Sequence, residues 1–179
     1  AALPTAQQWG GPGAGQSVEA VAHLLLHDQR IREIPDGGFD ACPYTAATGL
    51  RLNDNDITAV GARAFARLAA LTNLDLHSNA ITWMAATSLD GLTRLGGLYL
   101  NNNRLGAFDY GALAPMAGMR DLNLTSQEGG DLICGGNDLW INNAADIATA
   151  VASCGGDGSP CAGCAVGCPT ALPGSCVPE

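Results

Sequence analysis

The sequence contains no lysine and few charged residues of either sign. Its eight basic residues are all arginine, and 17 carboxylates outnumber them, for a formal net charge of −9 at pH 7. A surface with this excess of negative charge repels phosphate backbones and anionic lipid headgroups. We therefore expect the chain to bind neither nucleic acid nor a membrane surface.

Long apolar runs are also missing from the 179 residues. No stretch approaches the roughly 18 consecutive apolar residues that a membrane-spanning helix needs, so we do not expect membrane insertion. The sequence opens with Ala1-Ala2-Leu3-Pro4. A secreted chain begins in this way once its targeting segment has been removed, and so does a trimmed chain.

The cysteines are unevenly distributed, with Cys42 alone and six others crowded into the last third of the chain. Those six are Cys134, Cys154, Cys161, Cys164, Cys168 and Cys176. Clustered thiols in a stretch rich in Gly and Pro indicate disulfide bonds and an oxidising, extracellular compartment. A zinc site is the alternative, because Cys161 and Cys164 have ligand-like spacing. A second such pair or a pair of histidines is missing, so disulfides are favoured and neither a metal nor a cofactor is expected.

Leucine recurs along the chain at a nearly constant interval. The successive separations are 26, 24, 24 and 24 residues between Leu24, Leu50, Leu74, Leu98 and Leu122. Each of these leucines opens a Leu-x-Leu stretch, which is typical of a β-strand with one buried face. A fixed period of this length indicates a solenoid whose coils stack at about 4.8 Å and share one continuous core.

Asparagine follows the three central strands at a constant position. The residues are Asn55, Asn79 and Asn103, with Gln29 and Gln127 at the corresponding position of the outer repeats. A buried amide side chain can pair with backbone groups that become exposed where a strand turns away from the sheet. Leaving such groups unpaired costs about 1–3 kcal/mol each. We therefore predict a structural asparagine ladder at this column and not a ligand site.

The repeats resemble a known family. Residues 71–81, LTNLDLHSNAI, match the pattern L-x-x-L-x-L-x-x-N-x-L of leucine-rich-repeat proteins, and the 24-residue period resembles the typical extracellular subclass. The resemblance covers residues 21–127. It implies an α/β fold, a right-handed solenoid or short horseshoe with a parallel β-sheet on its concave face.

Four parts of the chain are expected on this basis. Residues 1–20 would form an N-terminal cap or loop, and residues 21–127 about five leucine-rich repeats. Residues 128–154 would form a C-terminal cap that covers the last coil. Residues 155–179 make up a tail rich in Cys, Gly and Pro, which cannot build a core and would be held by bridges.

The predicted C-terminal cap is built on a helix between Cys134 and Cys154. Asp138 is positioned to cap this helix, and Trp140 and Ile147 recur at a spacing that puts them on one helix face. The segment resembles the cysteine-flanked cap of extracellular leucine-rich-repeat proteins. That resemblance implies a bridge between the two flanking cysteines.

The concave face carries the candidate ligand-binding residues, because side chains between the buried leucines point outward there. They are Arg51, Asn53, Asp75, His77, Tyr99 and Asn101. Side chains of neighbouring repeats lie about 5 Å apart, so Arg51 and Asp75 are expected to pair. Tyr99 beside them is a candidate anchor, because Tyr and Arg dominate interface hot spots. The alternative is a solvated sheet face whose polarity has no role in binding.

The same face offers little to suggest catalysis. Asp75, His77 and Ser78 supply the residue types of a catalytic triad, but Ser78 should point to the other side of the turn from His77, and no Gly-x-Ser-x-Gly motif is present. We therefore expect no enzyme activity. Asn123 opens an Asn-Leu-Thr sequon, and a glycan at this position would cover the C-terminal end of the concave face.

Two functions of different classes fit these features. The first is a non-catalytic recognition module of a secreted or cell-surface protein that binds a protein or glycan through the concave face. The second is a scaffold, a structural subunit of an extracellular cell wall, sheath or filament that contacts neighbouring subunits through its flanks and tail. An ordered oligomer with an empty concave face would favour the second. An intracellular scaffold would require all seven cysteines to be free thiols.

The cysteine pattern makes a direct prediction. Because Cys42 replaces a leucine of the repeat and should be packed in the core, we expect it to be the free thiol of the chain. Titration of the unreduced protein under denaturing conditions should find about one thiol per chain, and mass spectrometry of unreduced peptides should map bridges among the other six cysteines. Seven titratable thiols would contradict the extracellular assignment.

Overall fold

A computed structural model of the chain describes residue 3 and residues 21–106, 108–128 and 140–148. Its regular elements within these ranges are short strands, one 3-10 turn at Tyr110–Leu113 and helical residues at 144–148. The strands are β1 (His23–Leu25), β2 (Gly49–Arg51), β3 (Ala59–Val60), β4 (Asn73–Asp75), β5 (Trp83–Met84), β6 (Gly97–Tyr99), β7 (Asp121–Asn123) and β8 (Trp140–Ile141).

Six strands form the main sheet in the order β1-β2-β4-β6-β7-β8. The first five run parallel, and their register pairs Leu24, Leu50, Leu74, Leu98 and Leu122 in succession. The predicted stacking of the leucines is confirmed. The chain is a parallel-strand solenoid of about four turns.

A second, smaller sheet lies on the return side of the coils. β3 and β5 pair in parallel, with Ala59 opposite Trp83 and Val60 opposite Met84, and Ile34 bridges to Val60 from the preceding coil. The return segments therefore also stack in register. The first three coils are thus joined by strand pairing on both of their sides.

The core lies between these two sheets. Leu50, Leu74, Leu76 and Leu98 are at most 1 % exposed, as the Leu-x-Leu pattern predicts. On the return side, Phe39 and Phe65 pack with ring centroids 5.5 Å apart. Large side chains of successive coils are thus in contact along the solenoid axis, which is how a repeat too small to bury its own apolar face becomes stable.

Cys42 is buried among these residues and is a free thiol, as predicted. Burial raises the pKa of this thiol, while a hydrogen bond to the backbone of Tyr44 and the charge of Arg67 lower the pKa in part. The net rise keeps the sulfur protonated and unreactive, since the thiolate is the nucleophile. The six other cysteines and the bridges predicted for them lie outside the described residues.

The chain turns sharply just after each strand. Every such turn has a residue with φ between 53° and 57° at the same position, and these residues are Asp28, Asp54, Ser78, Asn102 and Ser126; Arg30 in the first turn has a φ of 57° as well. Asp and Asn are enriched in this left-handed conformation because their short polar side chains can bond locally. The repeated Asp, Asn and Ser in the sequence thus have a conformational role.

The C-terminal cap differs from the prediction. Trp140 does not lie on a helix face but in β8, which runs antiparallel to β7 and places Trp140 opposite Asn123 and Ile141 opposite Leu122. Asn143 caps the helical residues that follow, because its Oδ1 accepts the backbone N–H of Asp146 at 2.9 Å, whereas the predicted cap residue Asp138 lies outside the described residues. The chain extends along the free edge of the sheet before it coils, because an open edge exposes unpaired backbone groups.

Leu76 provides the sharpest test of the register. It is fully buried in the shared core, so Leu76→Asp should lower the free energy of unfolding by about 4 kcal/mol, because an unpaired charge would be buried. Leu25→Asp is the matched control. Leu25 is 56 % exposed, and its replacement should cost less than about 0.5 kcal/mol. Equal stability of the two variants in thermal or urea unfolding would refute the assignment of the inward face.

Candidate functional site

The concave face is built by the residues that flank each buried leucine of the parallel strands. One column contains His23, Gly49, Asn73, Gly97 and Asp121. The next contains Leu25, Arg51, Asp75, Tyr99 and Asn123. The strand register therefore brings Arg51, Asp75 and Tyr99 of the predicted site onto one face in consecutive coils.

The other three predicted binding residues lie just beyond the strand ends. Asn53, His77 and Asn101 are half-buried in the turns that follow β2, β4 and β6. Asn53 donates through Nδ2 to Oδ2 of Asp54 at 2.6 Å. These residues border the concave face and extend it toward the asparagine ladder.

The predicted ion pair between Arg51 and Asp75 is wrong. Among the described residues no salt bridge joins them, although their Cα atoms are register partners. Asp75 instead binds His77, whose Nδ1 lies 2.5 Å from Oδ1 of Asp75 and whose backbone N–H donates to the same oxygen at 3.2 Å. A partner two residues away costs less conformational entropy than a long, exposed arginine side chain.

His77 also lies near a second carboxylate. Its Nε2 is 3.9 Å from Oδ2 of Asp54, and both side chains are partly exposed. This arrangement joins two coils through one imidazole ring. Within the described residues no group of three or more His, Cys, Asp or Glu side chains could hold a metal ion.

Two glycines shape the concave surface. A Cβ atom at Gly49 would lie 2.5 Å from Cδ2 of His23, and one at Gly97 would lie 3.2 Å from Cε2 and the hydroxyl oxygen of Tyr99. The rings of His23 and Tyr99 therefore lie across positions that carry no side chain. This makes Tyr99 part of a broad surface and not a projecting side chain.

Asp121 and Trp140 join Tyr99 at the C-terminal end of the face. Oδ2 of Asp121 accepts the Tyr99 hydroxyl at 3.4 Å, and Oδ1 accepts the indole N–H of Trp140 at 3.0 Å. Burial raises the pKa of Tyr99, and the charge of Asp121, the hydrogen bond to it and the charge of Asp75 raise that pKa further. Sequence reasoning missed this cluster, because Trp140 reaches it only through the antiparallel pairing of β8.

The asparagine ladder runs along the edge of the core. Oδ1 of Asn103 accepts the backbone N–H of Ile81 at 2.9 Å, and its Nδ2 donates to the carbonyls of Leu76 and Leu100 at 3.0 and 2.9 Å. Asn79 and Asn55 make the corresponding bonds one and two coils earlier, respectively. The structural role predicted for these residues agrees with their hydrogen bonds.

The outer glutamines of the ladder differ from each other. Gln127 substitutes fully, since its Oε1 accepts the N–H of Leu105 at 3.0 Å and its Nε2 donates to the carbonyl of Leu100 at 2.9 Å. Gln29 is exposed, and its side-chain Nε2 donates to the carbonyl of His27 in the same turn. Within the described residues, the side-chain amide of Gln29 therefore makes no bond to another coil.

Two threonine columns add to the ladder and were not predicted. Thr48 and Thr72 donate through their hydroxyls to backbone carbonyls of the preceding coil at 3.2 and 3.0 Å. Thr58 and Thr82 do the same on the return side at 3.2 and 3.3 Å. Their 24-residue separation is the signal that could have revealed them.

Asn123 of the sequon lies in β7 and is half-buried. Its Oδ1 accepts both the backbone N–H and the hydroxyl of Thr125, at 3.1 and 2.8 Å. Trp140 of β8 lies opposite it in the sheet. Glycosylation of Asn123 stays a prediction.

The fold and the side-chain ladders define a repeat solenoid, and the comparisons with known proteins assign its family. A sequence model described as Leucine rich repeat matches residues 19–81, 45–105 and 70–127. These matches cover more than half of the chain. The chain therefore belongs to the leucine-rich-repeat family. Its members are typically non-catalytic modules for protein recognition.

Two solved structures are similar to the chain. One is TLR13 in its complex with ssRNA13, at 28% identity over 55% of this chain and 13% of that chain, with a TM-score of 0.50. The other is an internalin, InlF of Listeria monocytogenes, at 30% identity over 64% of this chain and 30% of that chain, with a TM-score of 0.50. The chain thus spans less than a third of either protein. A comparison with curated proteins finds no significant match.

One further structural finding concerns membranes. Within the described ranges, no helix is both long and apolar enough to cross a bilayer.

The ladder predicts a contrast between two neighbouring asparagines. Asn103→Ala leaves one backbone N–H and two carbonyls without their partner, so it should lower the free energy of unfolding by about 3 kcal/mol. Asn101→Ala, on the half-buried border of the concave face, should change it by less than about 1 kcal/mol. Denaturant unfolding of both variants tests this, and a small effect at Asn103 would show that water can replace its amide.

Proposed function

We propose that the chain is a non-catalytic recognition module of a secreted or cell-surface protein and binds its ligand through the concave face. The observation that carries the proposal is the composition of that face. Exposed apolar side chains stand at its two ends, Leu25 at 56 % and Trp140 at 55 %. Between them lie Arg51, Asp75 and Tyr99. Trp, Tyr and Arg, which this face presents together, are enriched at protein interfaces and at their hot spots.

The charge of the chain favours a protein ligand over a nucleic acid. The family fold by itself does not exclude a nucleic acid, since TLR13 is in a complex with ssRNA13. This chain, however, has a net charge of −9 and no lysine. Nucleic acid binding is driven largely by basic side chains that neutralise phosphates, so we propose a protein ligand and keep a glycan as the alternative.

The secreted or cell-surface location rests on the sequence. Six cysteines in the last third of the chain and an Asn-Leu-Thr sequon at Asn123 are features of proteins that fold in an oxidising compartment. A location of this kind would also require that the bridges form. The thiol titration described above is its test.

A structural role in an extracellular assembly is the second candidate. Trp83 in β5 is 56 % exposed on the return side of the coils, which is far from the concave sheet. Exposed aromatic side chains on a flank are suited to contacts with neighbouring subunits. The two candidates therefore assign different surfaces to binding.

Variants on the two surfaces separate the candidates. The double variant Leu25→Ser/Arg51→Ala alters the concave face, and Trp83→Ser alters the return side. We expect the concave variant to weaken binding of proteins from the extracellular fraction of the source organism at least about tenfold, and Trp83→Ser to leave it unchanged. Binding would be measured on immobilised variants with matching thermal unfolding curves.

The opposite result would favour the assembly. If light scattering shows that the unaltered chain forms an ordered oligomer, and Trp83→Ser alone dissociates it, the concave face is not the main binding surface. Retained ligand binding by Leu25→Ser/Arg51→Ala would reject the recognition proposal directly.

A further inference from the structure

We propose that Tyr99, Asp121 and Trp140 form a subsite for an arginine side chain of the protein partner. The inference rests on the proposed function and specifies what the C-terminal end of the concave face recognises. Three observations support it, namely a fixed and exposed indole ring, a carboxylate without a cationic partner in the described structure, and a tyrosine ring that lies over Gly97 beside that carboxylate.

The indole of Trp140 is exposed and yet held in one place. Its backbone pairs with Asn123 across the antiparallel β7–β8 contact, and its N–H donates to Oδ1 of Asp121 at 3.0 Å. More than half of the side chain remains accessible, at 55 %. A rigid aromatic ring of this kind loses little conformational entropy when a partner covers it.

Asp121 lies between the two aromatic residues and accepts one neutral hydrogen bond on each oxygen, from Tyr99 and from Trp140. The salt bridges of the described residues involve other carboxylates, namely Asp54, Asp75 and Glu128. A carboxylate has about four acceptor positions, so both oxygens can still accept from a ligand.

The local electrostatic field is negative. The charges of Asp121 and Asp75 both help to raise the pKa of the Tyr99 phenol. Arg51 does not neutralise this end of the face, because no described salt bridge joins it to Asp75 or Asp121. A cationic group that reaches Asp121 would therefore be attracted to it.

The Tyr99 ring lies over Gly97 and leaves little free space there. Gly97 carries no side chain, and a Cβ there would lie 3.0 Å from Oδ1 of Asn73 and 3.2 Å from the Tyr99 ring. The Tyr99 ring consequently lies across this position instead of projecting toward solvent. Tyr99 and Trp140 thus present aromatic surface on either side of one carboxylate.

Arginine fits this chemistry better than lysine. Its guanidinium is planar, stacks on aromatic faces and donates two parallel hydrogen bonds to a carboxylate. Attraction between the cation and the indole ring adds to the carboxylate contact. The net charge of −9 also favours a basic partner on approach.

The test uses the full, ¹⁵N-labelled chain and short peptides with one variable side chain. The probes are acetyl-Gly-Gly-Arg-Gly-Gly-amide and the same peptide with citrulline, which has the shape of arginine without its charge. The indole N–H signal of Trp140 is assigned by its loss in Trp140→Phe. We expect the arginine peptide to shift this signal and the citrulline peptide to shift it at least about tenfold less at equal concentration.

Two variants locate the effect. Asp121→Asn keeps acceptor and shape but removes the charge, and it should weaken the arginine-dependent shift at least about tenfold. Trp83→Phe removes an exposed indole on the opposite side and should leave the Trp140 shift unchanged. If Asp121→Asn does not fold, Tyr99→Phe replaces it in the test. This substitution removes only the hydroxyl that binds Asp121, and it is expected to alter the affinity for the arginine peptide.

Several results would overturn the inference. They are an unmoved Trp140 signal, equal shifts from arginine and citrulline, or full binding by Asp121→Asn. A shift caused by an oligosaccharide such as cellopentaose, with none from the arginine peptide, would assign the subsite to a glycan. Each of these leaves the proposed function standing if Leu25→Ser/Arg51→Ala still loses the partner, so the two proposals can fail separately.

Discussion

This structure depends on one set of hydrogen bonds. They join the backbone at the end of each strand to the side-chain amide of an asparagine in the next coil. A solenoid of three-residue strands turns away from its sheet once in every coil, and each turn leaves backbone groups that lack a partner within the coil. The side chain of Asn55 pairs with such groups. Its Oδ1 accepts the backbone N–H groups of Gln29 and Ile31, and its Nδ2 donates to the carbonyls of Leu26 in the same preceding coil and Leu52 in its own coil. Buried backbone groups must be paired, so the position of the asparagine cannot drift from one repeat to the next.

This constraint explains why the fold could be predicted well from the sequence. A shift of one residue would move an asparagine away from the backbone groups that it binds and turn a buried leucine outward, so the period is preserved in the sequence itself. In the sequence, Leu74 therefore predicts the inward face of the strand, and Asn79 predicts the turn that follows it. The same reasoning covers Gln127, whose longer amide occupies the ladder in the last coil. The threonine columns at Thr48 and Thr58 follow the period too, but an exposed threonine has many uses, so the signal is weaker.

The candidate site was predicted less completely, for physical reasons that differ between residues. Register alone places Arg51 beside Asp75, but it does not decide which partner a flexible side chain takes. The carboxylate of Asp75 pairs instead with the ring of His77, two residues away. Trp140 was wrongly placed on a helix face, because its spacing from Ile147 also suits a helix. Only the free edge of β7, a feature of the assembled sheet, makes an extended strand there favourable.

The end of the solenoid connects stability and recognition. The last parallel strand needs a cover for its exposed backbone, and an antiparallel strand provides one without another full coil. Side chains alternate along a strand, so the residue next to buried Ile141 has to face outward. That residue is Trp140, and Asp121 of the preceding strand is within reach of its N–H. A strand that closes the core therefore also places an aromatic ring on the concave face. The position of this ring follows from the closure of the fold, whereas closure alone does not require that the residue be tryptophan.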